Sequence, residues 1–430
     1  MKGSGMRVLI VAGNISRRMG GEAVLPFHLA RELSARGVET HALTHARVRD
    51  EILESPLANT VRFHFVEDAS VEKALNFLGE RAPPSLRDIV FNTAIGLSTM
   101  RRLADAARRL EKETAFDLIH QPTPVSPMSP SFLTGLQAPL IIGPMNGAMR
   151  FPPAFERDYA RGADKAAAAG RALARLANRL APGKKEAARL LVANDRTRRG
   201  LPANISDDRV LLMAENGVDL DDWPAPILDG ERSPEIVFVG RLLWLKGVDM
   251  LIDAFAKTPS PLKLVIIGDG PERAALEERA KAAAPGRVRF TGFLPHAEIQ
   301  KTLARATALA FPSLRDCGGA VILEAFASGT PAIAVDWGGP QDYVTAETGV
   351  LIEPRGRDYV VSELSEAMTR FAENPAEVER MGAAGRRRVE THFSWFAKAD
   401  DYIRLYESVI ADATSRSACA APENAATSAR

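Results

Sequence analysis

An α/β fold of two Rossmann-like parallel-sheet domains, facing each other across a cleft, is predicted by three observations. Short apolar runs alternate with helical stretches along most of the chain, one Pro-, Asp- and Gly-containing run interrupts them near the middle, and the same alternation restarts after it. The first half opens with a strand, Arg7 to Ala12, followed by a helix from about Gly21 to Arg36 that stops at Gly37. Strands are expected next at Glu39 to Thr44, Val61 to Val66, Asp117 to His120, Leu140 to Gly143, Leu190 to Ala193 and Val210 to Ala214. Helices at Arg87 to Lys112 and Phe155 to Leu180 separate some of them. Apolar runs of this length, bounded by turn residues, suit strands buried on both faces.

Residues 1–215 therefore form an N-terminal domain, and residues 216–232, around Trp223, read as a linker. The second domain, 233–393, carries strands at Ile236 to Val239, Lys263 to Ile267, Val288 to Thr291, Ala308 to Phe311 and Pro331 to Val335. Its helices are expected at Val248 to Ala256, Glu272 to Ala284, Ala297 to Ala306 and Ala320 to Ala327. Helices at about Asp358 to Glu373 and Pro375 to Thr391 follow. A further helix over 394–412 packs back toward the N-terminal domain, and an Ala/Ser-rich tail, 413–430, is expected to be disordered.

With 430 residues and 46% hydrophobic content, the chain is long enough for two sizeable cores. Its two cysteines, Cys317 and Cys419, give neither a disulfide framework nor a metal-ligand cluster, which fits a cytoplasmic location. The N-terminus lacks the apolar core and cleavage site of a signal peptide, and no stretch is apolar enough to span a bilayer. The net charge of +1 hides a split: residues 1–215 hold 31 basic and 23 acidic side chains, residues 216–430 hold 24 and 31. Residues 150–200 alone hold 13 Lys and Arg against 5 acids, a stretch read either as a solvated helix face or as a peripheral contact with anionic lipid at the inner membrane face. Aromatic residues are too sparse there for stacking on nucleic acid.

The chemistry concentrates in the segment from Pro312 to Pro331. Asp316 and Glu324 stand eight positions apart around Gly318-Gly319, which opens a helix after an apolar strand. Unpaired N–H groups at such a helix start suit a diphosphate, and carboxylates on either side accept hydrogen bonds from hydroxyls. Upstream, Arg241 and Lys246 follow the first strand of the second domain, where cations stabilise charge growing on a leaving diphosphate without a metal. The D-x-D spacing of Asp219-Leu220-Asp221 is the competing metal reading. It lies in an Asn-Gly-Val-Asp turn, so no metal site is assigned.

Taken in order, the landmarks resemble the retaining GT-B glycosyltransferases of family 4, the glycosyltransferases group 1 class. They are the glycine loop Gly13 to Gly21, Asp117-Leu118-Ile119-His120, Asn216-Gly217-Val218-Asp219, Gly240-Arg241 with Lys246-Gly247, Gly268-Asp269-Gly270-Pro271, Gly292-Phe293-Leu294 and the two-carboxylate segment. The resemblance covers nearly all of residues 6–412. It implies transfer of a sugar from a nucleotide diphosphate donor, a UDP- or GDP-sugar, to a hydroxyl acceptor with retention of configuration, and it implies no cofactor.

Residue by residue, the resemblance gives Arg241 and Lys246 the phosphate role and Glu324 the donor ribose. Gly318, Gly319 and Ala320 supply backbone N–H groups. Asp316, standing where the family has Glu, contacts the transferred sugar, and its shorter side chain leaves donor choice open. Gly268 and Gly270 lie beside the nucleotide base, with Phe293 and Leu294 read as base contacts or core. Asn216, Gly20 and Gly21 line the donor side, and His120 at a strand end contacts the reacting sugar.

The implied acceptor is a saccharide or lipid-linked saccharide of cell-envelope or exopolysaccharide synthesis. Three rivals stay open: a GT-B-like phosphorylase or epimerase, a noncatalytic sugar-nucleotide-binding module, and a dinucleotide-binding oxidoreductase. The last is disfavoured because Gly13-Asn14-Ile15-Ser16 lacks G-x-G-x-x-G.

Overall fold

The computed structural model describes residues 5–83, 87–159, 174, 176–226 and 232–420. The chain forms two compact units, one of Met1–Gly147, Gly170–Glu215 and Ala399–Arg430, the other of Ala148–Ala169 and Asn216–Lys398, as far as their residues are described.

The first unit is built on seven parallel strands: β1 (Arg7–Val11), β2 (Glu39–His45), β3 (Arg62–Val66), β4 (Leu118–Gln121), β5 (Leu140–Met145), β6 (Arg189–Val192) and β7 (Val210–Leu212). They lie in the order β3-β2-β1-β4-β5-β6-β7. The chain works outward from β1 and then returns to its other side, so the order reverses between β1 and β4, where Val8 is in register with both Thr40 and Leu118. Leu9, Val11, Leu43, Ile119, Ile142 and Leu190 bury their side chains against Leu103 and Ala107 of the helix Asn92–Glu113. This is why the strands read as unbroken apolar runs.

The second unit has six parallel strands: β8 (Glu235–Val239), β9 (Lys263–Ile267), β10 (Val288–Gly292), β11 (Ala308–Phe311), β12 (Ala332–Val335) and β13 (Gly349–Ile352). Their order is β10-β9-β8-β11-β12-β13, with the reversal between β8 and β11. Phe238, Phe255, Ile266, Ile333, Met368 and Phe371 form the centre of its core. Two arginines stitch the unit from inside. Arg386 donates to the carbonyls of Trp223 and Ala327, and Arg232 to those of Ala304, Ala306 and Gly329.

Several expectations are corrected. The helix Ser70–Gly79 was missed although Val71, Ala74, Leu75 and Leu78 are spaced for one helix face; the fold leaves Val71, Phe77 and Leu78 exposed and buries Glu72. Strand β13 was missed because it starts at a glycine directly out of the Thr345–Thr348 turn, where the N–H groups of Thr348 and Gly349 both donate to the Thr345 carbonyl. It pairs closely with β12, and a Cβ on Gly349 would meet the Ala332 carbonyl oxygen at 2.1 Å.

The expected linker is not a free connector over residues 216–226. Val218 and Trp223 are buried in the second unit, and Val218 exchanges backbone hydrogen bonds with Phe393 and Trp395. Its residues 227–231 lie outside the described residues. The expected helix Phe155 to Leu180 is a helix over Pro153–Tyr159 and again over 176–180. Residues 160–173 and 175 lie outside the described residues. The last helix runs over Trp395–Ala420, so 413–420 are helical rather than disordered, and 421–430 lie outside the described residues.

Candidate functional site

Four loops of the second unit leave the carboxyl ends of adjacent strands, and they carry most of the candidate residues. Arg241 and Lys246 follow β8, Gly268 and Gly270 follow β9, Phe293 and Leu294 follow β10, and Asp316 to Ala320 follow β11. The loops after β8 and β11 meet at the reversal of strand order, the position where open α/β sheets bind ligands. Leu314 N–H donates to the Leu245 carbonyl (2.9 Å), and Gly247 lies so close that a Cβ there would meet the Pro312 carbonyl oxygen at 2.4 Å. Gly247 also has φ +67, so the contact and the turn both require glycine.

This packing brings Lys246 to Asp316, 70 residues further on. The ammonium pairs with Asp316 Oδ2, while Oδ1 accepts from the N–H groups of Gly318 (3.2 Å) and Gly319 (2.9 Å). The Asp316 backbone is held as well, its carbonyl accepting from Gly339 N–H at 2.9 Å. Gly319, in the left-handed region at φ +57, turns the chain into the helix Ala320–Ala327. The N–H groups of Ala320 and Val321, the first two of that helix, have no intrahelical acceptor, and the third, Ile322 N–H, donates to the Gly319 carbonyl at 2.9 Å.

The carboxylate of Glu324, one turn into the helix, has no hydrogen-bond partner and no ion pair among the described residues; the Glu324 backbone carbonyl accepts from Ser328. Burial pushes its carboxyl up to about 7. Arg241 is exposed and carries no ion pair among the described residues. An unpaired carboxylate on the helix after β11 and an unpaired guanidinium on the loop after β8 suit hydroxyls and an anion respectively.

The Gly268 to Pro271 loop packs against the loop that follows β8. Gly268 and Gly270 lie against the backbone that carries Arg241: a Cβ on Gly268 would meet the Gly240 carbonyl oxygen at 2.0 Å, and one on Gly270 the Leu242 carbonyl oxygen at 2.3 Å. Leu242 N–H donates to the Asp269 carbonyl (2.9 Å) and Glu272 N–H to the Leu242 carbonyl (3.2 Å), so this crossing sets where Arg241 leaves the sheet. Of the two readings of Phe293, core is excluded, because the ring is 76% exposed at the end of β10; Leu294 is half-buried. Asn216 Nδ2 donates to the Tyr343 hydroxyl (3.1 Å), inside the second unit.

The remaining candidates lie in the first unit. Gly20 (φ +67) and Gly21 (φ +55) begin the turn Gly21–Ala23 with open space where a Cβ would stand. His120 requires a correction. A sugar-facing ring was expected at the end of β4, but the side chain is wholly buried. Nε2 lies 2.6 Å from the Gly143 carbonyl oxygen, which only accepts, so Nε2 carries the proton and Nδ1 accepts from the Tyr406 hydroxyl at 2.5 Å. Burial brings the imidazole down to about 4, outweighing the Gly143 bond that favours the charged form. Tyr402 and Tyr406, from the last helix, supply the cover that a reading of the β4 neighbourhood alone misses.

Among the described residues, one group of side chains has metal-ligating types close together: His45, Asp68 and Glu72 of the first unit. Their polar atoms are committed. His45 Nδ1 accepts from Arg47, its Nε2 meets Asp68 (3.1 Å), and Glu72 accepts from Ala69 N–H and Arg102. Asp219, of the D-x-D, is buried, and it accepts from Asp221 N–H (3.2 Å) in a tight turn.

Two residues near the candidate site carry no family signal in the sequence. Trp244, partly exposed between Arg241 and Lys246, stacks on Phe151 (centroids 5.3 Å apart), and Met149 Sδ lies 3.9 Å from Cys317 Sγ beside the motif loop. Both contacts join segments far apart in the chain, so no local pattern announces them.

Residues 221–388 match the family model described as "Glycosyl transferases group 1". A glycogen synthase of Mycobacterium tuberculosis is 32% identical over 202 residues, 46% of this chain and 48% of that protein. The chain thus matches about half the length of this curated relative. Among solved structures, the sucrose-phosphate synthase of Thermosynechococcus elongatus is 21% identical, covering 95% of this chain and 100% of that one with a TM-score of 0.62. The Anabaena protein HepE, solved in complex with UDP, is 15% identical, covering 94% and 100% with a TM-score of 0.63. The structural likenesses establish the fold: two Rossmann-like parallel-sheet domains of the GT-B class.

Proposed function

We infer that this chain, whose residues 221–388 carry a glycosyl transferases group 1 domain, is a glycosyltransferase that moves a sugar from a nucleotide diphosphate sugar to a hydroxyl acceptor. One observation carries the reading. After the carboxyl ends of β8 and β11, two interlocked loops and the helix that follows the second carry two cations, two carboxylates and a glycine turn entering that helix.

In this reading Arg241 and Lys246 bind the diphosphate and stabilise the charge that builds on it as the glycosidic bond breaks. The N–H groups of Gly318, Gly319 and Ala320 add fixed donors, Glu324 accepts from the ribose hydroxyls, and Phe293 stacks on the base. Asp316 contacts the transferred sugar. The leaving diphosphate takes the acceptor proton, and the sugar passes through an oxocarbenium-like state on one face, so configuration is retained without a protein nucleophile or a metal ion.

Thermal shift and slow hydrolysis across a panel of UDP- and GDP-sugars test the donor class without an acceptor. The reading is lost if no nucleotide sugar shifts the melting temperature. The anomeric proton coupling of the product tests retention, and activity in EDTA tests independence of metal.

The acceptor proposed is a saccharide or lipid-linked saccharide presented at an anionic membrane surface. It draws on the 13 basic residues of 150–200, of which the residues at 160–173 and 175 lie outside the described residues. Of the rest, Lys184 is buried on two carbonyls, Arg189 pairs with Asp412, Arg196 binds Asn146 and Gly147, and Arg198 pairs with Asp207. Among the described residues no helix is long and apolar enough to cross a membrane. Salt-sensitive sedimentation with anionic vesicles is the expected result, and its absence removes the membrane from the proposal.

A further inference from the structure

We propose that Asp316 is an internal anion that occupies the diphosphate site and must be displaced for the donor to bind. The proposal rests on the reading of the second unit as the donor-binding domain, and it concerns how that site is kept before the donor arrives. Of the groups assigned to the phosphates, three are engaged by one side chain: the N–H of Gly318, the N–H of Gly319 and the ammonium of Lys246 all meet the Asp316 carboxylate. A phosphate oxygen asks for the same donors in the same place, backbone N–H groups before a helix together with a cation.

The length of the side chain explains why it folds back. An Asp oxygen reaches the N–H groups two and three residues on, the short-range pattern that Asp and Asn favour, whereas a glutamate at this position carries its carboxylate one methylene further out. The backbone leaves one way of clearing the site. The Asp316 carbonyl is held by Gly339 N–H, and Gly338 and Gly339 are packed so closely that a Cβ on Gly338 would meet that same carbonyl oxygen at 2.5 Å. The carboxylate therefore leaves by rotation of its own side chain, with Lys246 transferring from it to the diphosphate. Once outside, the carboxylate is free to meet a hydroxyl of the transferred sugar, so donor binding and placement of Asp316 are one event. Donor affinity is reduced by the cost of breaking the internal contacts.

Calorimetry of UDP, GDP and inorganic pyrophosphate with the full chain tests this on wild type, Asp316→Asn and Asp316→Glu. Asp316→Asn removes the charge, and Asp316→Glu keeps the charge but lengthens the side chain past the glycine N–H groups. Both are expected to bind pyrophosphate and at least one nucleotide about tenfold more tightly than wild type. Lys246→Ala is expected to lose more affinity in the Asp316→Asn background than in wild type, because the lysine then has no internal partner to leave. A purely structural role for Asp316 predicts weaker binding by both variants. If nucleotides bind but Asp316→Glu binds no more tightly than wild type, the internal-anion proposal is overturned alone. If neither nucleotide nor pyrophosphate binds to any of the three proteins, the donor-site reading falls and the proposal falls with it.

Discussion

The hydroxyl of Tyr406 lies 2.5 Å from Nδ1 of His120, a residue 286 positions earlier in the chain. Because Nε2 donates to the Gly143 carbonyl, this contact sets the neutral tautomer and fills both nitrogens of a ring with no exposure to solvent. A histidine held in this way is a structural element of the first unit, and its consequences are measurable.

The folded imidazole titrates near 4 against an ordinary value of 6.5. The unfolded chain therefore binds more protons between those values, and the stabilisation is complete above about pH 6.5 and lost as pH falls toward 4. Urea unfolding of wild type should show a loss of up to about 3 kcal/mol across that window, and the slope should shrink in a His120→Gln variant. Tyr406→Phe leaves Nδ1 buried without a donor and should cost about 1–3 kcal/mol at neutral pH.

Glu324 gives the opposite sign. Its folded carboxyl titrates near 7, so in the unliganded protein its contribution to stability is present below about 4.5 and lost as pH rises through 7. Ribose hydroxyls donate to the ionised form, so nucleotide affinity should rise between pH 6 and pH 8. Titration calorimetry of Glu324→Gln with UDP or GDP should give a flatter profile than wild type over that range. Parallel profiles would remove Glu324 from the ribose.

Arg241 and Lys246 separate chemistry from stability. Arg241 is exposed and has no ion pair among the described residues, so Arg241→Ala should leave unfolding within about 0.5 kcal/mol of wild type. Turnover should fall by about 100-fold or more in Arg241→Ala and in Lys246→Ala, since each removes a charge from the leaving diphosphate. Unchanged kcat in either variant would sink that residue's assignment.

Gly268→Ala and Gly270→Ala test the platform beneath Arg241. The added methyl group would collide with the carbonyl of Gly240 or Leu242, and Gly268 also has φ +134, which alanine rarely adopts. Either change should lower stability by more than about 2 kcal/mol in urea unfolding. Alanine at Gly20 has open space at the added methyl group and should cost less, limited to the strain of its positive φ.

Phe293→Ala removes an exposed ring and should leave unfolding nearly unchanged. KM for the donor should rise about tenfold at nearly constant kcat, the signature of lost base stacking. An unaltered KM would return Phe293 to an ordinary surface residue.

The sheets, the strand-helix alternation and the positions of Arg241, Lys246, Asp316 and Glu324 were legible in the sequence because buried parallel strands leave continuous apolar runs and their loops carry the punctuation. Strand β11 and the helix Ala320–Ala327 have the bounds expected from those signals. Tertiary structure alone decided what these residues touch. The pairing of Lys246 with Asp316, the burial of His120 beneath Tyr402 and Tyr406, and the contact of Gly268 with the Gly240 backbone join segments 28 to 286 positions apart. Side-chain partnership at such separations depends on strand order and loop packing, which residue type and local spacing do not encode. The same holds for the helix Ser70–Gly79, whose apolar side chains announce a buried face that the fold turns to solvent.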